Sequence, residues 1–141
     1  MLTRRQFNVI TGASMLAATP VLRAQSNKII LGQSAAFTGP AAELGIQFHQ
    51  GAKLWFDQVN LQGGVAGKTI EIKTMDDGYE PDRCAANTQK LISEDVFALF
   101  GYIGTPTSLA ALPLVTKAQI PFIAPFTGAM GLRTPFHKSV F

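Results

Sequence analysis

Cysteine is almost missing from this chain. Cys84 stands alone among 141 residues, so no internal disulfide can form and no thiolate cluster can hold a metal. It is expected as a small buried residue on a helix. Long apolar runs are missing too. The longest candidate, Phe7 to Leu22, is interrupted by Asn8, Thr11, Gly12 and Pro20, and falls short of the roughly 20 residues that span a bilayer. Excess charge is the third absence. Of 12 basic residues, Arg4, Arg5 and Arg23 sit in the first 24 positions; the remaining nine are matched by nine acids. A near-neutral body lacks the basic face that nucleic acid requires. The length allows one domain with a real core, below the usual enzyme size.

What is present begins with a leader. "MLTRRQFNVITGASMLAATPVLRAQS" has a basic start, a modest apolar stretch and a small residue, Ala24, before Gln25. This predicts an export signal over residues 1–24, cleaved near Ala24, with residues 25–141 as the mature part. Thr3-Arg4-Arg5-Gln6-Phe7 resembles the twin-arginine signal, although Asn8 departs from the leucine usual next. Export to the periplasm is the expected destination.

Strand and helix patterns then alternate. Ile29 to Leu31 reads as a strand. Leu44, Phe48, Ala52, Trp55 and Val59 recur every three to four residues as the inner face of a helix, which Gly63-Gly64 ends. "KTIEIKT" alternates as a second strand, with Asp76-Asp77-Gly78 turning it. Pro81 suits the first turn of a second helix, whose inner face is Ala85, Thr88, Leu91 and Ile92. Val96 to Phe100 is a third strand, Pro106 to Ala118 a third helix, and Pro121 to Ala124 a fourth strand. Gly128 to Leu132 is at most a short helix, and Ser139-Val140-Phe141 enters a further strand. The fold class is α/β, a parallel sheet covered by helices through right-handed crossovers.

Three near-motifs fail on inspection. "GGVAGKT" has the wrong glycine spacing for a phosphate loop and runs from helix to strand, the reverse of that motif. "GQSAA" resembles a serine-nucleophile elbow around Ser34 with His137 as base, but Ala36 replaces the second glycine and Thr38-Gly39-Pro40 delays the helix. "DDGYEPD" gathers four acids, yet the twelfth position from Asp76 is Asn87, where a calcium loop needs glutamate. Turn formation and negative charge at a helix start account for it.

"VFALFGYIGTPTSLAALP" survives. A strand breaks at Gly101 and Gly104, with Thr105 placed as N-cap and Pro106 first in the helix. The hydroxyls and the N–H groups of Thr107 and Ser108 would point from the strand's carboxyl end, where open α/β sheets bind ligands. Only Lys90, back on the preceding helix, lies between Arg83 and Lys117; a triphosphate would want local cations, whereas a single carboxylate held by hydroxyls and helix-start amides would not. The alternative is that Thr105 merely caps its helix. "APFTGA" brings Phe126 and Thr127 to the same edge, and "AAFTGPAAELG" adds the first loop, so three small uncharged loops meet above one sheet edge.

The succession "FTGPAAELG", "GAKLWFDQVNLQGGVAGKTIEI", "DDGYEPDRCAANTQKLI", "VFALFGYIGTPTSLAALP" and "IPFIAPFTGA" resembles the first lobe of periplasmic solute-binding proteins of the branched-chain amino acid ABC-transport type. The resemblance runs from about Ile29 to Phe141. It implies a type I binding-protein fold of two lobes that close on a ligand and deliver it to an ABC permease in the inner membrane. It implies no cofactor, no metal and no catalysis. It gives Thr105 the ligand's α-carboxylate and has Phe126 and Thr127 add contacts, although leucine-type members carry threonine where Gly128 stands. It sets Leu44 against the ligand side chain, with Tyr102 and Gly104 flanking the pocket floor. Members of the family are more than twice this length, so the chain is expected to be a truncated lobe that alone binds ligand weakly or not at all. Submicromolar calorimetric binding of leucine to residues 25–141 would overturn that. The rival readings are a ligand-sensing receptor module of the same fold and a serine hydrolase built on Ser34.

Overall fold

A computed structural model describes residues 27–141; the leader and its arginine pair lie outside them. Four parallel strands, β1 (Lys28–Ala35), β2 (Thr69–Asp76), β3 (Ala98–Phe100) and β4 (Phe122–Ile123), are ordered β2-β1-β3-β4. They are joined by α1 (Ala42–Leu61), α2 (Pro81–Ser93) and α3 (Thr105–Ala118), and a short 3₁₀ turn follows at Met130–Leu132. Among the described residues no helix is long and apolar enough to cross a membrane.

The strand order fixes the site. The chain moves from β1 to one side for β2, then back across to β3 and β4. Right-handed crossovers therefore place α1 on one sheet face and α2 and α3 on the other. The direction reverses between β1 and β3, the point at which open parallel sheets leave a crevice beyond their carboxyl ends. The loops leaving β1 and β3 border that crevice.

Alternation along β3 separates the two faces. Leu99 joins Cys84, Leu91, Val96, Tyr102, Ala111, Val115 and Phe122 in the core under α2 and α3. Phe100 instead meets Phe48 and Phe56 of α1, at ring-centre distances of 5.8 and 5.4 Å. Gly32 of β1 is small because Leu91 and Val96 fill the space a Cβ would need.

Several boundaries differ from expectation. The first strand continues through Gly32-Gln33-Ser34 to Ala35, in unbroken register with β2 from Lys28↔Thr69 to Ala35↔Asp76. Gln33 and Ser34 are buried polar residues, tolerated because both are hydrogen-bonded. The inner face of α1 is rotated as well. Gly45, Phe48, Ala52, Phe56 and Val59 turn inward, whereas Leu44 and Trp55 are 45% and 66% exposed. Gly45 sets the helix position, since a Cβ there would lie 1.9 Å from the Ala36 carbonyl oxygen. At the far edge Val140 bridges Phe122 in parallel, so the expected further strand does begin.

Candidate functional site

Four loops meet beyond the carboxyl ends of the strands, and two adjacent aspartates at the end of β2 fasten the first two of them. Asp76 accepts the N–H groups of Phe37 (2.8 Å), Thr38 (3.1 Å) and Gly78 (3.0 Å), and the Thr38 hydroxyl at 2.6 Å. Arg83 closes the set at 2.9 Å. Burial alone would push this carboxyl upward, but these donors outweigh it and hold Asp76 well below the usual carboxylate range. Asp77 faces inward and is fully buried. It takes the Ser34 hydroxyl and the Tyr79 N–H, each at 2.8 Å. Burial raises its pKa against those two bonds. The acid-rich turn is thus a loop anchor as well as a helix start, a role that counting charges in sequence did not give it.

The β3–α3 connection carries the main candidate. Gly104, at φ 99°, is the residue before the helix, and Thr105 is its first residue. Thr105 is therefore one place inside the expected cap position, and no side chain caps this helix. Its hydroxyl instead lies 2.7 Å from the hydroxyl of Thr127. That contact removes the reading in which Thr105 serves only its own helix. The Ser108 N–H, expected to point outward, is the first to enter the helical ladder, bonded to the Gly104 carbonyl at 3.1 Å. The N–H groups of Thr105 and Thr107 come before the ladder, but Thr107 is fully buried, which leaves the exposed Thr105 as the helix-start donor.

The loop after β4 is bound to this one by main-chain bonds. Phe126 N–H donates to the Tyr102 carbonyl at 2.7 Å, and Gly104 N–H to the Phe126 carbonyl at 3.2 Å. The Phe126 ring, 54% exposed, rests 5.9 Å from Phe48. Leu44 lies one turn ahead of Phe48 on the same side of α1. Its exposure, wrong for an inner helical face, leaves it open beside the first loop. Tyr102 departs from expectation differently. Its side chain is fully buried, with the hydroxyl 3.0 Å from Thr88 Oγ1 and the ring edge-on to Phe122. Only its backbone reaches the site, and burial raises its phenol pKa.

Tyr79 is the residue that sequence reading missed. Its backbone is left-handed, φ 70°, a conformation rare outside glycine, and Asp77 holds its N–H. The ring packs on Gly104: a Cβ at that glycine would come 2.4 Å from Tyr79 Cε2. Nothing in "DDGYEPD" signals that contact except the glycine at 104, whose partner is 25 residues away.

The remaining candidates are occupied elsewhere. The Ser34 hydroxyl donates to Asp77 and accepts from Asn87 at 3.1 Å, while His137 Nε2 pairs with the Gly131 carbonyl at 2.9 Å. That arrangement does not build a nucleophile and its base. His49 Nδ1 donates to Gln33 Oε1 at 2.8 Å, because Gln33 gives its own amide N–H to the Gly101 carbonyl. Partial burial and then Lys53 lower its pKa. The Cys84 thiol is pushed up to about 12 by burial, which leaves it an inert core group.

The sequence profile of the family described as "Periplasmic binding protein" matches residues 28–141. The chain belongs to that family. Among relatives of this binding protein is the Leu/Ile/Val-binding protein BraC3 of Rhizobium johnstonii, 30% identical over 86% of this chain and 32% of its own length. A possible leucine/isoleucine/valine-binding protein from Rhodopirellula baltica is 39% identical, with a TM-score of 0.75 over 84% of this chain and 31% of that one. An ABC-transporter solute-binding protein from Rhodopseudomonas palustris, solved with 3,4-dihydroxybenzoic acid, is 36% identical over 70% of this chain and 27% of that one, with a TM-score of 0.62. This binding protein's chain therefore spans about a third of the length of such relatives. The fold they share is the type I binding-protein fold, a parallel sheet between helices.

Proposed function

We propose that this chain supplies one lobe of the solute-binding component of an ABC import system, holding a small carboxylate at the crevice between β1 and β3. The protein is exported by the leader over residues 1–24, works in the periplasm and hands its ligand to a membrane permease. The observation that carries the reading is the Thr105–Thr127 hydroxyl pair, 2.7 Å apart, at a helix start where the exposed Thr105 keeps its N–H outside the ladder. Hydroxyls and helix-start amides hold a single negative charge without a cation. Arg83, the cation that α2 brings to this edge, is committed to Asp76. Arg133 lines the pocket that also takes in Thr127 and offers an anion one cation, fewer than a polyphosphate requires. Binding and delivery are the whole activity, with no chemical step at the site.

The names of the relatives support the same chemistry. The carboxylate is the group that leucine, isoleucine and valine have in common with 3,4-dihydroxybenzoic acid. The ligand is accordingly an amino acid or a related carboxylic acid. Thr105 and Thr127 take the carboxylate, with Gly104 in the floor beneath them and Leu44 and Phe126 lining the apolar side. Amide NMR of the 141-residue chain tests this. Millimolar carboxylate should shift the Thr105 and Thr127 signals saturably, with weak affinity on the order of 1 mM, and inorganic phosphate should not. Equal or larger shifts with phosphate would defeat the reading.

A further inference from the structure

Each threonine of the pair follows a residue that carries or packs against an exposed aromatic ring. On one side Phe126 immediately precedes Thr127 and is 54% exposed. On the other, Tyr79 covers Gly104, the residue before Thr105, and is 37% exposed. Both rings are held in place. Phe126 is fixed by main-chain bonds to Tyr102 and Gly104, and by a chain of ring contacts through Phe48 and Phe100 to Phe56. Tyr79 is fixed by a left-handed backbone whose N–H is locked to the buried Asp77.

A solvent-facing ring held by strained backbone and a buried carboxylate is poorly explained as filler. An aliphatic side chain on relaxed backbone would cover Gly104 as well. The Tyr79 hydroxyl also has no hydrogen-bond partner among the described residues, in contrast to the Tyr102 hydroxyl, which is spent in the core. Resting on the carboxylate reading above, we infer that the ligand is a flat, unsaturated carboxylic acid of the benzoate type, gripped by Tyr79 and Phe126 beside its carboxylate. Tyr79 and Phe126 are then specificity-determining residues, and Asp77 is the residue that positions Tyr79. Branched aliphatic acids satisfy the threonines but give up the ring contacts.

The test uses two probes that differ in flatness and hardly in size, benzoate and cyclohexanecarboxylate, with acetate as the common anchor. Amide shifts of Thr105 and Thr127 are followed in the 141-residue chain. Benzoate should half-saturate at roughly three- to tenfold lower concentration, the range that ring–ring contacts supply. Tyr79→Leu and Phe126→Leu should each erase most of that advantage, read within each variant as the ratio of benzoate to cyclohexanecarboxylate half-saturation, while Tyr79→Phe keeps it. Equal response to the two ring acids, or a preference surviving both leucine variants, overturns the inference while leaving the carboxylate reading intact. Absence of any shift at Thr105 and Thr127 with all three acids removes both.

Discussion

The hydroxyl oxygens of Thr105 and Thr127 lie 2.7 Å apart although the residues belong to different loops. Either can donate to the other, so the pair offers an incoming carboxylate one hydroxyl hydrogen already aligned by its neighbour. Replacing Thr105 by valine keeps shape and removes that donor. The loss of a hydrogen bond to a charged group costs about 1.5–3 kcal/mol, enough to abolish a saturable carboxylate shift at millimolar concentration. Thr127→Val should do nearly the same. In a ligand-affinity cycle the double variant should lose less than the sum of the two, by about 0.5 kcal/mol or more. Strict additivity would show that the two hydroxyls act separately.

Gly45 makes a different demand. It is the buried glycine of α1, and an added methyl would meet the Ala36 carbonyl oxygen at 1.9 Å. The obstacle is backbone of β1, which cannot swing aside as a side chain can. Gly45→Ala should therefore destabilise the chain by about 3 kcal/mol, read as a shift in urea midpoint with unchanged slope. Gly51 on the same helix meets nothing within 4 Å, so Gly51→Ala should be neutral or slightly stabilising. If the two substitutions behave alike, α1 does not seat on β1 through Gly45.

The same helix shows what was and was not readable in sequence. Its existence and its end at Gly63-Gly64 follow from periodicity and from glycine at positive φ, 102° and 73°. Its inner face does not follow, because the helix carries two apolar stripes. One runs through Phe48, Ala52, Phe56 and Val59, and the other through Leu54, Trp55 and Leu61. Only the former packs on the sheet; Leu54 and Leu61 are 75% and 84% exposed. Spacing cannot choose between stripes of equal period. The site divides in a similar way. Thr105 and Thr127 can be singled out in sequence as candidates because hydroxyls after a strand are a local signal, and the fold brings them together. Tyr79, Asp76 and Asp77 cannot, since their partners Gly104, Thr38 and Ser34 lie far along the chain. For the same reason the first strand reads in sequence as ending at Leu31, before the polar run Gly32-Gln33-Ser34. Its partners, His49 and Asp77, are supplied by tertiary structure and let the strand continue.

Gly104 should be equally intolerant, for two separable reasons. Its φ of 99° suits glycine alone, and its missing side chain is the space taken by the Tyr79 ring. Gly104→Ala should cost about 1–3 kcal/mol of stability and dislodge Tyr79, visible as a change in tyrosine fluorescence. Adding Tyr79→Ala should restore part of that stability by removing the clash, though not the backbone strain. If the second substitution recovers nothing, the ring does not occupy that space in solution.

Asp76 gives a pH signature with a definite sign. Its folded pKa is held below the ordinary 3.8 by Thr38, Phe37, Gly78 and Arg83. The unfolded chain therefore takes up its proton first as pH falls. The stabilisation is complete well above pH 3.8 and drains away below it. Asp77 works in the opposite sense, because burial raises its pKa. The folded chain keeps that proton to higher pH, and the cost of ionising it appears as pH rises past 3.8. The wild-type curve mixes the two, so Asp76→Asn is needed to isolate one. It should lose about 1–2 kcal/mol at pH 7, after allowing for partial solvent screening. The gap from wild type, measured by urea unfolding, should narrow steadily from pH 4 to pH 2. A gap independent of pH would mean that the Asp76 charge does not hold the first loop, and that shape alone keeps Phe37 and Thr38 at the edge of the crevice.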